Sequence, residues 1–181
     1  MPPVVFSNAA ARFISKQEPI TLFIRVWGIT QDGGIAVEIY DSDLRVSDRP
    51  NNPFKDVEAT EFVEDNVRLI VPNHHVDYVR GAMVDWTDDE DIREGDFVHG
   101  GFFSPVPNQV STEGLQYTRG EVWEISRRML WNHYSPRVFV DTGPGIEAYL
   151  EQSGKQWFSW ADISEAVGAG HNSVADHGWF E

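Results

Sequence analysis

The chain of 181 residues contains no cysteine, only three lysines and no long apolar run. Without cysteine it can form no disulfide, no thiol nucleophile and no thiolate-bound metal or iron–sulfur site of its own. No segment approaches the roughly 20 apolar residues that a membrane span needs. The first residues have neither the basic start nor the apolar core of a secretory signal. We therefore expect a cytoplasmic protein, or part of an assembly built in the cytoplasm.

Basic residues are also scarce, since 14 Lys and Arg face 29 Asp and Glu, for a net charge of −15. Such a surface repels the phosphates of nucleic acids and the head groups of anionic membranes. We therefore expect neither nucleic acid nor membrane as a partner. The charge suits a basic partner or saline surroundings, but its simplest role is solubility.

What is present is an ordinary globular composition, with 41% hydrophobic residues and seven Trp. The length favours one domain, or one domain with an elaborated end. Up to about residue 108 the pattern predicts mostly strands and short helices. A helix at 9–16 has Ser7 or Asn8 as its N-cap, and the β-branched segments 20–27 and 35–40 form a hairpin. Further elements are predicted as strands at 67–71, 82–86 and 96–103, and as a short helix at 72–79.

Beyond residue 110 the character changes, because apolar residues recur at helical spacing from Glu121 to Tyr134. This predicts a helix there, and the segment 138–140 predicts a strand. The remaining predictions are a turn at 142–145, a helix at 146–152, and a helix at 160–167 that Gly168 ends, followed by a mixed tail. The fold class is therefore α+β, mainly β, with a mixed α/β extension rich in Trp.

Four segments follow one another in the first part of the chain: SNAAARF at 7–13, IRVWGITQDGGIAVEIYD at 24–41, VRLIVPNHHVDYVRGAMVDW at 67–86 and GDFVHGGFFSPVPN at 95–108. In this order they resemble the A-type iron–sulfur carrier proteins, the HesB-like family. The resemblance implies a HesB-like β-sandwich with short helices over residues 4–108. Residues 109–181 would then be a C-terminal extension that packs on this domain or on a partner.

The chain departs from that family at the cluster ligands. The family holds its cluster through one Cys in the hairpin turn and a Cys-Gly-Cys near its end. Here the turn reads Asp32-Gly33-Gly34, and the segment after Asn108 begins Gln109-Val110-Ser111. Iron–sulfur clusters need soft sulfur donors, so the resemblance implies an inherited fold without the carrier chemistry and without a cofactor.

The C-terminal tail contains the chain's candidate metal ligands, His171, Asp176 and His177. Imidazole and carboxylate groups can hold a divalent ion, but their spacing matches no metalloenzyme motif, and a simple polar tail explains them equally. The chain also lacks a Gly-x-Ser-x-Gly, an H-E-x-x-H and a phosphate-binding Gly loop. We therefore expect neither a metal site nor an enzyme.

Five of the seven Trp lie in the final third of the chain: Trp123, Trp131, Trp157, Trp160 and Trp179. Trp supplies large buried area, and it is also enriched where proteins bind one another. These residues can pack the extension onto the first domain, contact another chain, or do both. We predict that some of them are interface residues.

The sequence thus favours a non-catalytic structural or assembly protein that packs against other chains, including copies of itself, in a larger complex. A virion component, such as a phage capsid-decoration, neck or tail protein, is one concrete form. One alternative is an accessory docking factor in iron–sulfur cluster or metal handling. A second is a metal-dependent enzyme that uses the C-terminal His and Asp residues.

Overall fold

The computed structural model describes residues 3–16, 19–48, 51–64, 66–88, 93–94, 97–98 and 101–176. The chain divides into two compact units, the first from residues 1–48 and 55–113 and the second from 49–54 and 114–181. Both units contain strands and helices, which confirms the predicted α+β class. Within the described ranges, no helix has the length and apolar composition that a membrane crossing requires.

The described part of the first unit consists mostly of strands, with two helices. Its elements are β1 (Val5–Phe6), α1 (Asn8–Ser15), β2 (Ile20–Ile29), β3 (Ile35–Tyr40), β4 (Ala59–Glu64), β5 (Val67–Pro72), α2 (Val76–Val79), β6 (Met83–Thr87), β7 (Arg93–Glu94), β8 (Phe97–Val98) and β9 (Gly101–Phe103). The Ser7 side chain accepts from the amide of Ala10, which confirms the predicted N-cap of α1. The predicted hairpin is the antiparallel pair β2–β3.

The main sheet of this unit has the strand order β3-β2-β5-β4. β2 is parallel to β5 and antiparallel to β3, while β4 is antiparallel to β5. A smaller sheet has the order β1-β6-β9, and β7 pairs with β8. The predicted strand at 96–103 is therefore seen as β8 and β9, which pair with different strands.

The strand β2 is an inner strand of the main sheet, and its residues Leu22–Val26 are all buried. A continuous buried run is what a strand covered on both faces requires. Arg25 lies within this run and faces Glu38 in the β2–β3 register. The Tyr40 hydroxyl donates to Glu38 Oε1 at 2.9 Å, and Arg25 Nε donates to the Val26 carbonyl at 3.1 Å. Arg25 and Glu38 thus each have a hydrogen-bond partner, as buried charges need.

The second unit is mostly helical in its described part. Its elements are β10 (Tyr117–Thr118), α3 (Arg119–Trp131), α4 (Pro136–Phe139), α5 (Gly143–Ser153), β11 (Trp157–Phe158) and α6 (Trp160–Asp176). β10 and β11 pair antiparallel. The helix α3 begins with a capping box, in which Thr118 Oγ1 and Glu121 Oε1 each accept from the other residue's amide.

Glycines let the helices of this unit approach closely. A Cβ added to Gly145 on α5 would lie 2.1 Å from the Ala169 carbonyl oxygen on α6. A Cβ added to Gly170 on α6 would lie 2.6 Å from Leu130 Cδ1 on α3. Gly145 and Gly170 therefore serve helix packing.

Three sequence predictions for this unit were wrong. The predicted strand at 138–140 is helical, because α4 continues into a 3-10 turn at Val140–Thr142. The predicted turn at 142–145 is the start of α5, whose Pro144 lies in the first turn, where a missing N–H costs nothing. Gly168 does not end the last helix, since α6 continues to Asp176 and packs against α3 and α5. Tertiary packing outweighs the low helix propensity of glycine here.

Candidate functional site

The first candidate site is the β2–β3 turn, which lies beside the loop at residues 107–109. The amide of Ile35 donates to the Asn108 carbonyl, and the amide of Asn108 donates to the Ile35 carbonyl, each at 2.8 Å. A Cβ added to Gly34 would lie 2.6 Å from Pro107 Cβ and 2.8 Å from Gln109 Nε2. The structure therefore brings together the two segments at which the sequence resemblance places the cluster ligands.

The side chains of this turn could offer a metal only oxygen ligands. The Thr30 hydroxyl donates to Asp32 Oδ1, and the amide of Gly34 also reaches Asp32 Oδ1, at 3.3 Å. These bonds, that of Thr30 first, lower the pKa of Asp32 below its ordinary value. The chain has no thiolate to offer here, so the turn does not fit an iron–sulfur cluster.

The loop at 107–109 is held by hydrogen bonds to the backbone of the first unit. Asn108 Nδ2 donates to the carbonyls of Tyr78 and Arg80, at 2.9 and 3.0 Å. The Tyr78 hydroxyl donates to the Glu113 carbonyl at 2.7 Å. Asn108 is itself buried, so its amide serves to position the loop.

The second candidate site consists of one guanidinium, the two aromatic rings that it contacts and a third ring beside them, and we call it the Arg127 cluster (Trp123, Arg127, Trp131 and Phe139). Its first three members follow one another at intervals of four along α3 and so lie on one face of that helix. Arg127 Cζ lies 4.9 Å from the Trp123 ring centroid and 4.2 Å from the Phe139 ring centroid. Trp131 meets Phe139 edge to face, with centroids 4.8 Å apart. Cation–π contacts of this kind are worth about 0.5–2 kcal/mol each.

The start of α5 completes this cluster. A Cβ added to Gly143 would lie 3.1 Å from both Arg127 Nη1 and Trp123 Cη2, so a side chain there would require these two neighbours to shift by a few tenths of an ångström. Burial lowers the pKa of Arg127, and the charge of Glu147 offsets this in part. The guanidinium is thus held in a partly desolvated aromatic environment.

The Trp side chains of the second unit differ in their exposure to solvent. Trp131 is 48% exposed and Trp157 on β11 is 39% exposed. Trp123 is half-buried, and so is Trp160, whose ring lies 6.2 Å from that of Tyr117. Trp179 lies outside the described residues. Trp131 is therefore the member of the Arg127 cluster that reaches solvent most.

The candidate metal ligands of the tail occupy different surroundings. His171 lies on α6, where its Nδ1 is hydrogen-bonded to the Tyr134 hydroxyl and its ring lies 5.6 Å from that of His133. Burial, and then the charge of His133, lowers the pKa of His171. Asp176 is exposed at the end of α6, and its five-residue offset from His171 turns it about 140° around the helix. His177 lies outside the described residues.

The sequence pointed to two members of the Arg127 cluster, Trp123 and Trp131, and missed the other two. The spacing of Arg127 between those two Trp, four residues from each, was readable as one helix face. Phe139 could not be placed, because it falls in the segment that was predicted as a strand.

Comparison with known proteins gives a limited likeness. No protein-family profile and no curated protein matches the chain in sequence. Among solved structures, a protein from Aquifex aeolicus is 23% identical, with a TM-score of 0.32, over 59% of this chain and 94% of that protein. Escherichia coli SufA, described as involved in the biosynthesis of iron–sulfur clusters, is 20% identical, with a TM-score of 0.24, over 56% of this chain and 85% of SufA. Both TM-scores lie below 0.5, so neither likeness assigns a family or a function to this chain.

Proposed function

We propose that this chain is a non-catalytic structural or assembly protein that binds another protein chain through the Arg127 cluster. The observation that carries the proposal is the exposure of Trp131, 48% of which faces solvent at the edge of the cluster. Trp and Arg are the side chains that most often dominate binding energy at protein interfaces. A rigid ring held by Phe139 loses little conformational freedom when a partner covers it.

We propose that residues 4–108, in the first unit, form a degenerate HesB-like domain. The support is the juxtaposition of the β2–β3 turn with the loop at 107–109. The side chains there are Asp32, Thr30 and Gln109, which do not replace thiolates as cluster ligands. We therefore assign this unit a structural role, in which cluster carriage is lost. A virion component is the narrower form of the proposal.

The proposal is tested by tagging the chain in its native cells and measuring the mass of the particle that contains it. The wild-type chain should elute in a complex of fixed stoichiometry, well above its own 20.6 kDa. The variant Trp131→Ser should elute alone, because it loses the exposed ring. Val46→Ser is the matched control, since Val46 is 76% exposed in the first unit and lies outside the cluster.

A wild-type chain that elutes alone would contradict the proposal, as would a Trp131→Ser variant that keeps the complex. The other chains in the complex distinguish the forms of the proposal. Virion proteins would support the narrower form. A stoichiometric iron–sulfur protein would instead favour an accessory docking factor in cluster handling.

A further inference from the structure

Two imidazole rings of the second unit lie close together, one just after the end of α3 and the other on α6. The amide of His133 donates to the Leu130 carbonyl at 3.0 Å, which fixes its backbone to the last turn of α3. The centroid of its ring lies 5.6 Å from that of His171 on α6. Two imidazoles on one tetrahedral metal ion, each with a metal–nitrogen bond of about 2.0–2.1 Å, have centroids about 5.2 Å apart. The observed spacing is close to that value.

The Tyr134 hydroxyl orients the His171 ring, because it is hydrogen-bonded to His171 Nδ1. This leaves Nε2 as the nitrogen that can bind a metal, and a metal-bound His commonly donates its other ring N–H to an oxygen in this way. Burial, and then the charge of His133, lowers the pKa of His171, which favours the neutral ring that metals bind. His133 is exposed, so its ring can turn towards an ion without disturbing the packing.

We infer that His133 and His171 form a binding site for a divalent transition-metal ion such as Zn²⁺. Imidazole nitrogens favour zinc, copper and nickel, whereas Mg²⁺ and Ca²⁺ favour oxygen ligands. The two rings supply two ligands, water supplies the others, and Tyr134 is a positioning residue. The ion ties the end of α3 to α6 within the second unit. This site differs from the tail set with Asp176 and His177, because its second imidazole comes from a residue far away in the chain.

The test titrates Zn²⁺ at neutral pH into the purified full-length chain, from which a chelator has removed bound metals. Isothermal titration calorimetry should show saturable binding, and the NMR signals of the His133 and His171 rings should shift as the ion is added. Mg²⁺ should bind far more weakly, since it favours oxygen ligands. The absence of saturable Zn²⁺ binding would overturn the inference. Equal affinity for Mg²⁺ would also overturn it, because it would assign the binding to the acidic surface.

Single substitutions locate the ligands. Tyr134→Phe should weaken Zn²⁺ binding about tenfold or more, the usual effect of losing the oxygen partner of a metal-bound His, while the His171 signals still shift at saturation. His133→Gln and His171→Gln should weaken binding further, because each removes a ligand. Asp176→Asn is the matched control on α6, since Asp176 is turned about 140° around the helix from His171, and it should keep the wild-type affinity. Unchanged affinity in either His variant would contradict the inference.

Thermal unfolding gives a second readout that does not depend on the heat of binding. Zn²⁺ should raise the melting temperature of the wild type, because an ion that binds only the folded chain stabilises it. It should raise that of His133→Gln much less. Since His133 is exposed, this variant keeps the fold and the comparison can be made even if His171→Gln does not fold. An equal rise in the wild type and His133→Gln would place the ion elsewhere and overturn the inference.

Discussion

Ile35 and Asn108 exchange both of their backbone hydrogen bonds, each at 2.8 Å, and so join the β2–β3 turn to the loop at 107–109. This is where the HesB-like resemblance places the cluster ligands, and the chain has no thiolate to offer there. Anaerobic reconstitution with ferrous iron and sulfide should therefore leave the purified chain without stoichiometric iron. The sulfur-to-iron absorption of a cluster should be absent from its visible spectrum. Bound iron and sulfide in fixed ratio would contradict this expectation.

The close approach of the turn to the loop makes Gly34 a stability determinant. In Gly34→Ala, the new methyl group would overlap Pro107 Cβ at 2.6 Å, so the loop must shift. We expect a loss of about 1–3 kcal/mol in the free energy of unfolding, measured by urea denaturation. Gly33→Asn is the control, because no atom lies within 4 Å of its Cβ position and Asn tolerates the left-handed φ of +88°. An equal loss in both variants would refute the crowding argument.

In the second unit, replacement of either of two glycines by alanine should change the stability of the fold, but in opposite directions. Gly145→Ala would drive its Cβ to 2.1 Å from the Ala169 carbonyl oxygen, so α5 and α6 must separate, which lowers the melting temperature. Gly168→Ala meets no atom within 4 Å and should raise stability by about 1 kcal/mol, the gain in helix propensity. Thermal unfolding followed by circular dichroism measures both. A stabilising Gly145→Ala would mean that the helices do not pack as described.

Stability should depend on pH through His171. Burial and the nearby His133 lower its pKa in the folded chain, so the unfolded chain binds the proton more readily. The stability that neutral His171 contributes to the folded chain is fully present above its ordinary pKa of 6.5. It is lost as the pH falls from there through the lower pKa of His171 in the folded chain. Melting temperatures measured from pH 7.5 to 5 should therefore fall for the wild type.

Two variants test the assignment of that pH dependence. His171→Gln should flatten the decrease in melting temperature. His133→Gln should flatten it only in part, because burial is the larger cause of the shift. A decrease that persists unchanged in His171→Gln would show that another group is responsible.

Local sequence patterns predicted the first unit well. The β2–β3 hairpin and the Ser7 cap depend on neighbouring residues, so their alternation and capping chemistry are visible in the sequence. The errors fall at 138–145 and at Gly168, where helices persist because other helices pack against them. Long-range packing of this kind leaves no short-range pattern.

The candidate site was predicted only in part for the same reason. Trp123 and Trp131 stand out by residue type. Arg127 is recognised as part of the site only through its contact with the Phe139 ring, which lies on a different helix. The pairing of Ile35 with Asn108 joins segments that are far apart in the chain. The sequence indicated what each segment contains, and the fold determines which segments meet.

The most direct test of the central claim, that another protein covers the Arg127 cluster, is hydroxyl-radical footprinting of Trp131. The isolated chain and the complex from native cells are labelled in parallel, with the exposed Val46 as internal control. The account predicts that Trp131 is oxidised in the isolated chain and protected in the complex, while Val46 reacts equally in both. Equal oxidation of Trp131 in the two samples would contradict it.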